Sequence, residues 1–285
     1  MSLTGRTAIV TGAAAGLGRA EALALAARGA TVVVNDISEP KDVVDEIETA
    51  GGRAVAVAGD VGERATADAL VQAALDLGGL DIVVNNAGVL RDKMLFSMSD
   101  DDWDTVLRVH LRGHFLLSRN ATKFWRDRSK ADGKPVYGRL VNTASEAFLF
   151  GSPGQPNYAA AKAGIVALTV SAARGLAKYG VRANAICPRA RTAMTEGVFG
   201  AAPADGADPL SVEHVAPFVA YLASPAAEHV NGQVFVVHGG EVALVEPPRI
   251  ERRWGLDELE TTVSAFFAER DPARMFAVSE IVEES

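Results

Sequence analysis

The fold is decided by the stretch Thr7-Ala8-Ile9-Val10-Thr11-Gly12-Ala13-Ala14-Ala15-Gly16-Leu17-Gly18. Its apolar start is typical of a buried parallel strand, which leads directly into a glycine-rich turn. An Ala- and Leu-rich segment over 17–27 then predicts a helix, which Gly29 ends. Thr31–Asn35 is a second β-branched run, and Asp36 follows it. Strand, glycine turn, helix, strand and acid in this order predict one half of a dinucleotide-binding fold.

Asp36 predicts which dinucleotide binds. Its carboxylate can accept hydrogen bonds from both hydroxyls of an adenosine ribose, and it would repel a 2′-phosphate. No lysine or arginine stands at 13–15, 35 or 37 to neutralise such a phosphate. The sequence therefore predicts NAD rather than NADP, with the pyrophosphate at the N-terminus of the first helix. The alternatives are a glycine turn without a ligand, and for Asp36 a turn residue before the next helix.

Strands and helices keep alternating after Asp36. We predict a Rossmann-like α/β three-layer sandwich with a seven-stranded parallel sheet, in a domain over 1–240. Ser99–Asp102 is typical of a helix start, a long apolar helix follows over 107–124, and Arg126–Tyr137 is predicted as a surface loop. We assign 241–285 to a C-terminal extension that packs on its own core or on a neighbouring subunit. Apolar spacing from Trp254 to Arg270, with Asp257 and Glu258 in the first turn, predicts an amphipathic helix there.

Composition excludes several classes of function. The chain has 285 residues, is 48% hydrophobic and carries a net charge of −8, which argues against non-specific nucleic-acid binding. Cys187 is the single cysteine; it rules out an intrachain disulfide, and its apolar neighbours predict a buried thiol. We find no secretory h-region, no apolar run of membrane-spanning length and no metal site. We therefore expect a cytoplasmic protein.

A second informative stretch contains Ser145, Tyr158 and Lys162. The tyrosine and lysine stand four residues apart, so on a helix they share one face. A phenol titrates near 10, and a neighbouring ammonium lowers that pKa by stabilising the phenolate. A serine hydroxyl at a strand end could hold a substrate oxygen. These three groups suit proton exchange with an alcohol or a carbonyl oxygen.

Several motifs in the same order resemble those of the short-chain dehydrogenases/reductases, from about Leu3 to Gly240. They are Thr11-Gly12-x-x-x-Gly16-x-Gly18, Asp60, Asn85-Asn86-Ala87-Gly88, Ser145, Tyr158-x-x-x-Lys162 and the turn Pro188–Thr192. The resemblance implies that the tyrosine exchanges a proton with the substrate oxygen, that the serine binds this oxygen, and that the lysine binds the nicotinamide ribose. It assigns cofactor binding to Gly12, Gly16, Leu17, Gly18, Asp36, Asp60, Val61, Asn86, Ala87, Gly88, Tyr158, Lys162, Pro188 and Thr192. The two asparagines could also brace neighbouring strands, and we expect both roles.

A closer resemblance is to the dehydrogenase module of peroxisomal multifunctional β-oxidation enzymes. It rests on the segments 85–93, 109–115, 137–141 and 214–218. It implies NAD-dependent oxidation of a 3-hydroxyacyl-CoA or of a steroid-type alcohol, and a homo-oligomer, tetramer or dimer. Two alternatives stay open. One is an NADPH-dependent 3-oxoacyl-carrier-protein reductase, and the other is a catalytically retired NAD-binding regulatory protein.

Three features leave choices open. Many family members have Asn at the position of His110, where it kinks a helix and carries a proton-relay water; His110 is thus a relay residue or a satisfied helix-interior histidine. Arg189 replaces a glycine of the family pattern. With Arg191, it could bind the phosphates of a CoA-type ligand or pair with acidic residues. Phe148–Phe150 are expected to give the substrate wall an apolar face.

Overall fold

A computed structural model gives the structure of the protein and describes residues 1–195, 200–203, 208–256 and 259–270. Eight strands form one sheet in the order β3-β2-β1-β4-β5-β6-β7-β8. Neighbouring strands from β3 to β7 are parallel. The strands are β1 (Thr7–Thr11), β2 (Thr31–Asp36), β3 (Arg53–Ala58), β4 (Ile82–Asn85), β5 (Gly138–Thr143), β6 (Val181–Pro188), β7 (Val234–His238) and β8 (Glu241–Leu244).

Helices cover both faces of this sheet, which confirms the predicted three layers. One core contains α1, α2 and α8 on one face of the sheet, and another contains α3, α5 and the end of α7 on the opposite face. The helices are α1 (Gly16–Ala26), α2 (Lys41–Thr49), α3 (Arg64–Asp76), α4 (Asp100–Leu107), α5 (Gly113–Asp132), α6 (Ala147–Phe150), α7 (Pro156–Leu176), α8 (Ala216–Leu222) and α9 (Ser264–Glu269).

The prediction of seven strands was wrong by one. The eighth strand, β8, runs antiparallel to β7 and comes from the first residues of the segment that we assigned to the extension. Gly239 and Gly240 both have positive φ, 56° and 89°, so they form the two-residue turn of a hairpin. We took the glycine pair as the end of the sheet, whereas it allows the chain to turn back along β7.

The predicted loop Arg126–Tyr137 was also wrong over its first half. Helix α5 continues to Asp132 and ends at Gly133, whose φ of 65° is the left-handed conformation of a helix C-terminus. The predicted start is confirmed, because Ser99 and Asp102 form a capping box at the start of α4. Between α4 and α5 the chain makes one π-helical turn, Arg108–Arg112. Such turns interrupt the regular helical hydrogen bonding and often occur at functional sites.

Helix α7 together with the short 3₁₀ turn that follows it, Pro156–Tyr179, is long and apolar enough by length and composition to cross a membrane. This helix packs against β5 and β6, and Lys162 is buried on its inner side. The core helix of a soluble protein passes the same test of length and composition.

In the C-terminal segment, residues 241–244 form β8 and the Trp254 ring contacts α9. The predicted helix from Trp254 is shorter than expected, since a π turn over Leu259–Val263 precedes α9. Asp257 and Glu258 lie outside the described residues. The Trp254 ring meets the Phe266 ring edge-on, with 5.2 Å between the two ring centroids. The proposed division at residue 240 stays a prediction.

Candidate active site

A cavity of ≈530 Å³ opens at the carboxyl ends of β1, β2, β4, β5 and β6. In open α/β sheets ligands bind at this edge. The cavity is lined by all of the predicted cofactor residues except Gly18, and also by His110. Ser145 follows the lining residue Ala144 directly. The fold therefore gathers, at one end of the sheet, residues that are far apart in the sequence.

Gly18 acts through packing below the cavity. A Cβ atom at this position would lie 2.3 Å from the carbonyl oxygen of Gly12, and 2.5 Å from the Asn86 side-chain nitrogen. Gly12 itself has a φ of 64°, and a Cβ there would lie 2.7 Å from the Cα of Ala87. These glycines let the first turn pack against the turn after β4, which leaves backbone N–H groups of the helix N-terminus facing the cavity.

The two asparagines brace the site, as one of our two readings held. Asn85 donates to Asn142 on β5 at 2.9 Å and to Ser118 on α5 at 3.1 Å. Asn86 donates from its side chain to the carbonyl oxygens of Thr11 and Gly12, at 3.0 and 3.1 Å. Asn86 lines the cavity, whereas Asn85 is buried beside it.

Two carboxylates lie at the far end of the cavity from Tyr158. Asp36 accepts from the backbone N–H of Ala14 at 3.0 Å and from that of Ile37 at 2.7 Å. Asp60 accepts from the N–H of Gly62 at 2.7 Å and from the guanidinium of Arg108 at 2.6 Å. Both carboxylates are thus fixed in orientation, and only Asp60 is neutralised by an arginine in this part of the cavity.

Tyr158 and Lys162 lie on the first turns of α7, as the spacing predicts. The Lys162 Nζ atom lies 5.3 Å from the centroid of the Tyr158 ring. It donates to the carbonyl oxygen of Thr143, at the end of β5, at 2.6 Å. The Ser145 Oγ atom accepts from the N–H of Ala147 at 3.2 Å, and the serine lies close enough to Tyr158 to act on the pKa of its phenol. The three predicted catalytic side chains therefore lie together.

The comparisons with known proteins agree with this geometry. A model of the family described as short chain dehydrogenase matches residues 6–200. The chain is a short-chain dehydrogenase. As a member of this family it is an oxidoreductase that acts on CH–OH groups with a nicotinamide cofactor.

Three similar proteins are informative. The hydroxyacyl-CoA dehydrogenase ChsB1 of Mycobacterium tuberculosis is 61% identical, over 99% of this chain and 95% of that protein. The peroxisomal multifunctional enzyme type 2 of Mus musculus is 44% identical over 83% of this chain, which spans only 32% of the mouse enzyme. The crystal structure of a short chain dehydrogenase from Mycobacterium avium is 43% identical, with a TM-score of 0.83 over 95% of this chain and 98% of that one.

The pKa values in this short-chain dehydrogenase differ from one of our expectations. Burial raises the pKa of Tyr158 to about 12, although the hydrogen bond with Ser145 acts in the opposite direction. Burial also lowers the pKa of Lys162 to about 7. The expectation that the lysine lowers the tyrosine pKa considered the ammonium alone, whereas loss of water disfavours both charged forms.

His110 lies in the π turn and lines the cavity. Its Nε2 atom is 3.0 Å from the backbone nitrogen and 2.8 Å from the carbonyl oxygen of Val89. Its ring meets the Tyr158 ring edge-on, with 5.2 Å between centroids. Burial first, and the charge of Lys162 second, hold the pKa of His110 well below its usual value. A Cβ at Gly88 would lie 2.3 Å from this ring, so glycine is required there.

The two arginines in the turn after β6 pair with acidic residues, which is one of the two roles that the sequence left open for them. Arg189 donates to both carboxylate oxygens of Glu146, at 2.7 and 2.9 Å. Arg191 donates to Asp208 at 2.9 Å. Phe148, Leu149 and Phe150 do not line this cavity, and Phe148 packs against the core around Ile165 and Cys187, so the apolar substrate wall stays a prediction. Cys187 is buried as predicted, and burial raises the pKa of its thiol.

Sequence reasoning missed several residues of the site. Arg108 holds Asp60, the carbonyl group of Thr143 holds Lys162, and His114 lies one helical turn after His110. His114 is buried, and burial lowers its pKa to about 3. The partners are far apart in sequence, so no local pattern indicates them. The His-x-x-x-His spacing was the one available signal, since it places two imidazoles on one helix face.

Proposed function

We propose that this short-chain dehydrogenase interconverts a 3-hydroxyacyl-CoA and its 3-oxo form with NAD. The observation that carries the proposal is one cavity with Asp36 at one end and Tyr158, with Lys162 and Ser145 beside it, at the other. That arrangement suits an adenosine ribose and an alcohol oxygen at the two ends of one extended cofactor. A steroid-type secondary alcohol is the second substrate class that we consider.

Likeness to the mycobacterial hydroxyacyl-CoA dehydrogenase supports the substrate class. It covers 99% of the chain, including the segment after residue 240, and the mouse multifunctional enzyme matches over 83%. Both relatives agree with the resemblance read from the sequence.

Bound nicotinamide would take or give a hydride, and the side chains of this chain manage the proton. For reduction of a ketone, Tyr158 is a neutral phenol at ordinary pH and donates its proton to the oxygen that becomes a hydroxyl. For oxidation the same oxygen must lose its proton, which an ionised Tyr158 accepts, while the Ser145 hydroxyl stabilises the substrate oxygen by a hydrogen bond. Ser145 keeps the substrate oxygen within reach of Tyr158, because the two side chains lie close enough for the serine to lower the tyrosine pKa.

Lys162 and His110 are proposed to return protons to the tyrosine. Lys162 titrates at about 7, so it can both give and take a proton at ordinary pH. His110 contacts the other side of the Tyr158 ring, and its Nδ1 is buried without a hydrogen-bond partner in the described part of the chain. A water molecule at this nitrogen would extend the relay, since buried polar atoms are normally satisfied.

NAD is preferred to NADP in this proposal because of Asp36. Its carboxylate lines the cavity and is held by two backbone N–H groups, so it cannot turn away from a ribose phosphate. Arg108, which lines the same cavity as Asp36, is paired with Asp60. A 2′-phosphate would therefore meet a fixed negative charge.

The test is a substrate panel combined with both coenzymes. We expect kcat/KM for 3-hydroxyacyl-CoAs with NAD to exceed that for hydroxysteroids, and to exceed that with NADP by about 10²-fold. Asp36→Ser should shift the ratio towards NADP without changing the preferred substrate. A preference of the unaltered enzyme for NADPH and an acyl-carrier-protein thioester would favour the reductase alternative. NAD binding without turnover of any secondary alcohol would favour the retired regulatory protein.

His110→Ala tests the relay. We expect turnover to fall by about tenfold while NAD affinity stays unchanged, because the residue contacts Tyr158 rather than the adenosine end of the cavity. His110→Asn is the matched control, since an amide can also hold a water. Unchanged turnover of His110→Ala would contradict the relay.

The outer face of α7 supports the proposed tetramer or dimer. Small side chains recur there at helical spacing, and Ala160, Ala163 and Ala167 are exposed. Such a face lets a second helix approach closely. Light scattering of Ala163→Arg beside the unaltered protein tests this interface, and an unchanged mass would contradict it. Cytoplasmic localisation remains part of the proposal.

A further inference from the structure

The ion pair between Glu146 and Arg189 joins the two loops that flank the catalytic tyrosine. Glu146 directly follows Ser145 after β5, and Arg189 directly follows Pro188 at the end of β6. The pair is bidentate, at 2.7 and 2.9 Å. Its side chains are only 11% and 14% exposed, so water competes little with the contact. A fork-on-fork pair of this kind fixes orientation as well as distance.

Backbone hydrogen bonds to neighbouring strands anchor Arg189 and the segment that leads to Glu146. The N–H of Arg189 donates to the carbonyl oxygen of Val237 on β7 at 3.0 Å. Ala144, two residues before Glu146, donates to the carbonyl oxygen of Ile186 on β6 at 2.7 Å. The ion pair therefore closes a short loop between strands β5 and β6, in which each end is held by ladder-like hydrogen bonds.

This closed loop includes the hydrogen bond that orients the catalytic serine. The Ser145 Oγ atom accepts from the N–H of Ala147, which belongs to the peptide unit that follows Glu146. Turning the Glu146 backbone would turn that N–H away from Ser145 and so change the orientation of its hydroxyl towards the neighbouring Tyr158. We propose that Glu146 and Arg189 are positioning residues, which hold Ser145 in the orientation that presents the substrate oxygen to Tyr158. The inference rests on the proposed dehydrogenase function and adds to it a specific determinant of the rate.

The first experiment measures hydride transfer in a single turnover by nicotinamide absorbance, with the best substrate of the panel. Glu146→Gln keeps the shape of the side chain, and Arg189→Lys keeps the charge but loses the fork. We expect either change to slow hydride transfer by about 10–10²-fold, as small misplacements of reacting groups do. The Kd for NAD should change by less than about twofold, since neither residue lines the cavity.

A double-mutant cycle shows whether the effect passes through the serine. In a Ser145→Ala background, Glu146→Gln should slow the remaining rate by less than about threefold, because there is no hydroxyl left to position. The exchanged pair Glu146→Arg with Arg189→Glu should recover part of the rate. Arg182→Met is the matched control; it removes an arginine–carboxylate contact at the other end of β6 and should leave hydride transfer unchanged.

A second measurement needs no substrate. Hydrogen exchange at the amide of Ala147 should become faster in Glu146→Gln and Arg189→Lys, but not in Arg182→Met. If the unaltered enzyme oxidises no panel substrate, the proposed function fails while this measurement still decides the positioning inference. Unchanged exchange at Ala147 would overturn the inference, as would an effect of Glu146→Gln on hydride transfer that stays equally large without the Ser145 hydroxyl.

Discussion

The two ends of strands β5 and β6 hold buried charge in opposite ways. At the amino ends, Arg139 and Arg182 both pair with Glu228, at 2.5 and 2.6 Å. At the carboxyl ends, Glu146 and Arg189 also form a pair. Lys162, however, is as deeply buried as Arg139 but donates to the carbonyl oxygen of Thr143, and no carboxylate of the described residues pairs with it. The same two strands thus end in a fully paired charge cluster on one side, and on the other side in a cluster that contains one unpaired lysine.

This difference between the two ends indicates which end contributes to stability and which end contributes to reactivity. The amino-end cluster consists of paired charges that do not line the cavity, so it can only hold elements together. An unpaired buried group has a shifted pKa, and burial lowers that of Lys162 to about 7 while it raises that of Tyr158 to about 12. Groups with such values can exchange protons with a substrate at ordinary pH. We therefore expect changes at the carboxyl ends to affect rate, and changes at the amino ends to affect stability.

The largest effect should follow from Tyr158→Phe, which removes the proton donor and leaves the ring. We expect kcat to fall by about 10²–10⁴-fold, the usual contribution of a general acid or base. The Kd for NAD, measured by fluorescence titration, should stay close to that of the unaltered enzyme. If Tyr158→Phe kept most of its turnover, the carboxyl ends would not be the reactive side.

Lys162→Met should change both rate and the pH dependence of stability. Alcohol oxidation needs ionised Tyr158, and burial raises the pKa of that phenol to about 12, so the rate should rise with pH. Lys162 has a pKa of about 7 and can take up the proton at ordinary pH, so its removal should slow oxidation at pH 7 by about tenfold or more.

The stability prediction for the same variant follows from proton linkage. The pKa of Lys162 falls from 10.5 to about 7 on folding, so the unfolded chain binds more protons between these values. Burying this lysine therefore costs most below pH 7, and that cost disappears as pH rises to 10.5. Lys162→Met should remove this rise in the free energy of unfolding, measured in denaturant across the same range. An unchanged pH dependence of the free energy of unfolding would mean that folding does not lower the pKa of Lys162.

Much of the carboxyl-end site could be predicted from the sequence. The turn at Gly12–Gly18, Asp36 and the Tyr158–Lys162 spacing are local patterns, and strand–helix alternation alone brings strand ends to one edge. The pairs Glu146–Arg189, Asp60–Arg108 and His110–Val89 could not be predicted, because each joins segments that only tertiary packing brings together. The same reason hid the sign of the Tyr158 pKa shift, which burial decides.

Errors in the fold had local causes. The last turns of α5 are polar because they are exposed, and they resemble a loop by composition. Lysine–aspartate and arginine–aspartate contacts four residues apart support them as a helix. Strand β8 is only four residues long and fully exposed, so it has no alternation of buried and exposed side chains that a sequence could reveal.

Glu228→Gln tests the amino ends and should have a moderate effect. It leaves the Arg139 guanidinium, 1% exposed, without its counter-charge, although Glu228 itself is 47% exposed. We expect a loss of about 1–3 kcal/mol in the free energy of unfolding, less than for a fully buried pair. The kcat should be unchanged, and Asp127→Asn, in an exposed pair with Lys123, should cost less than about 1 kcal/mol. A slower kcat would show that the two ends are coupled.

The smallest effect on rate is expected at Glu21, a buried carboxyl group on α1 that lies away from both clusters. Neither of its oxygens has a hydrogen-bond partner in the described part of the chain, and burial raises its pKa to about 8. Between its ordinary value of 4.5 and 8 the folded chain binds the extra proton, so its contribution to stability is full below pH 4.5 and is lost as pH rises through 8. Glu21→Gln should unfold like the unaltered protein at low pH and be more stable at pH 8, by denaturant titration.

Glu21 also tests which property makes the carboxyl ends reactive. It is buried and unpaired like Lys162, but it does not line the cavity, so its proton can affect only folding. We therefore expect Glu21→Gln to leave kcat unchanged at pH 6, with Glu46→Gln on the exposed side of α2 as the control for a surface change. A lower kcat for Glu21→Gln would mean that an uncompensated charge affects the chemistry wherever it is buried. An unchanged kcat would mean that the shifted pKa must also face the cavity.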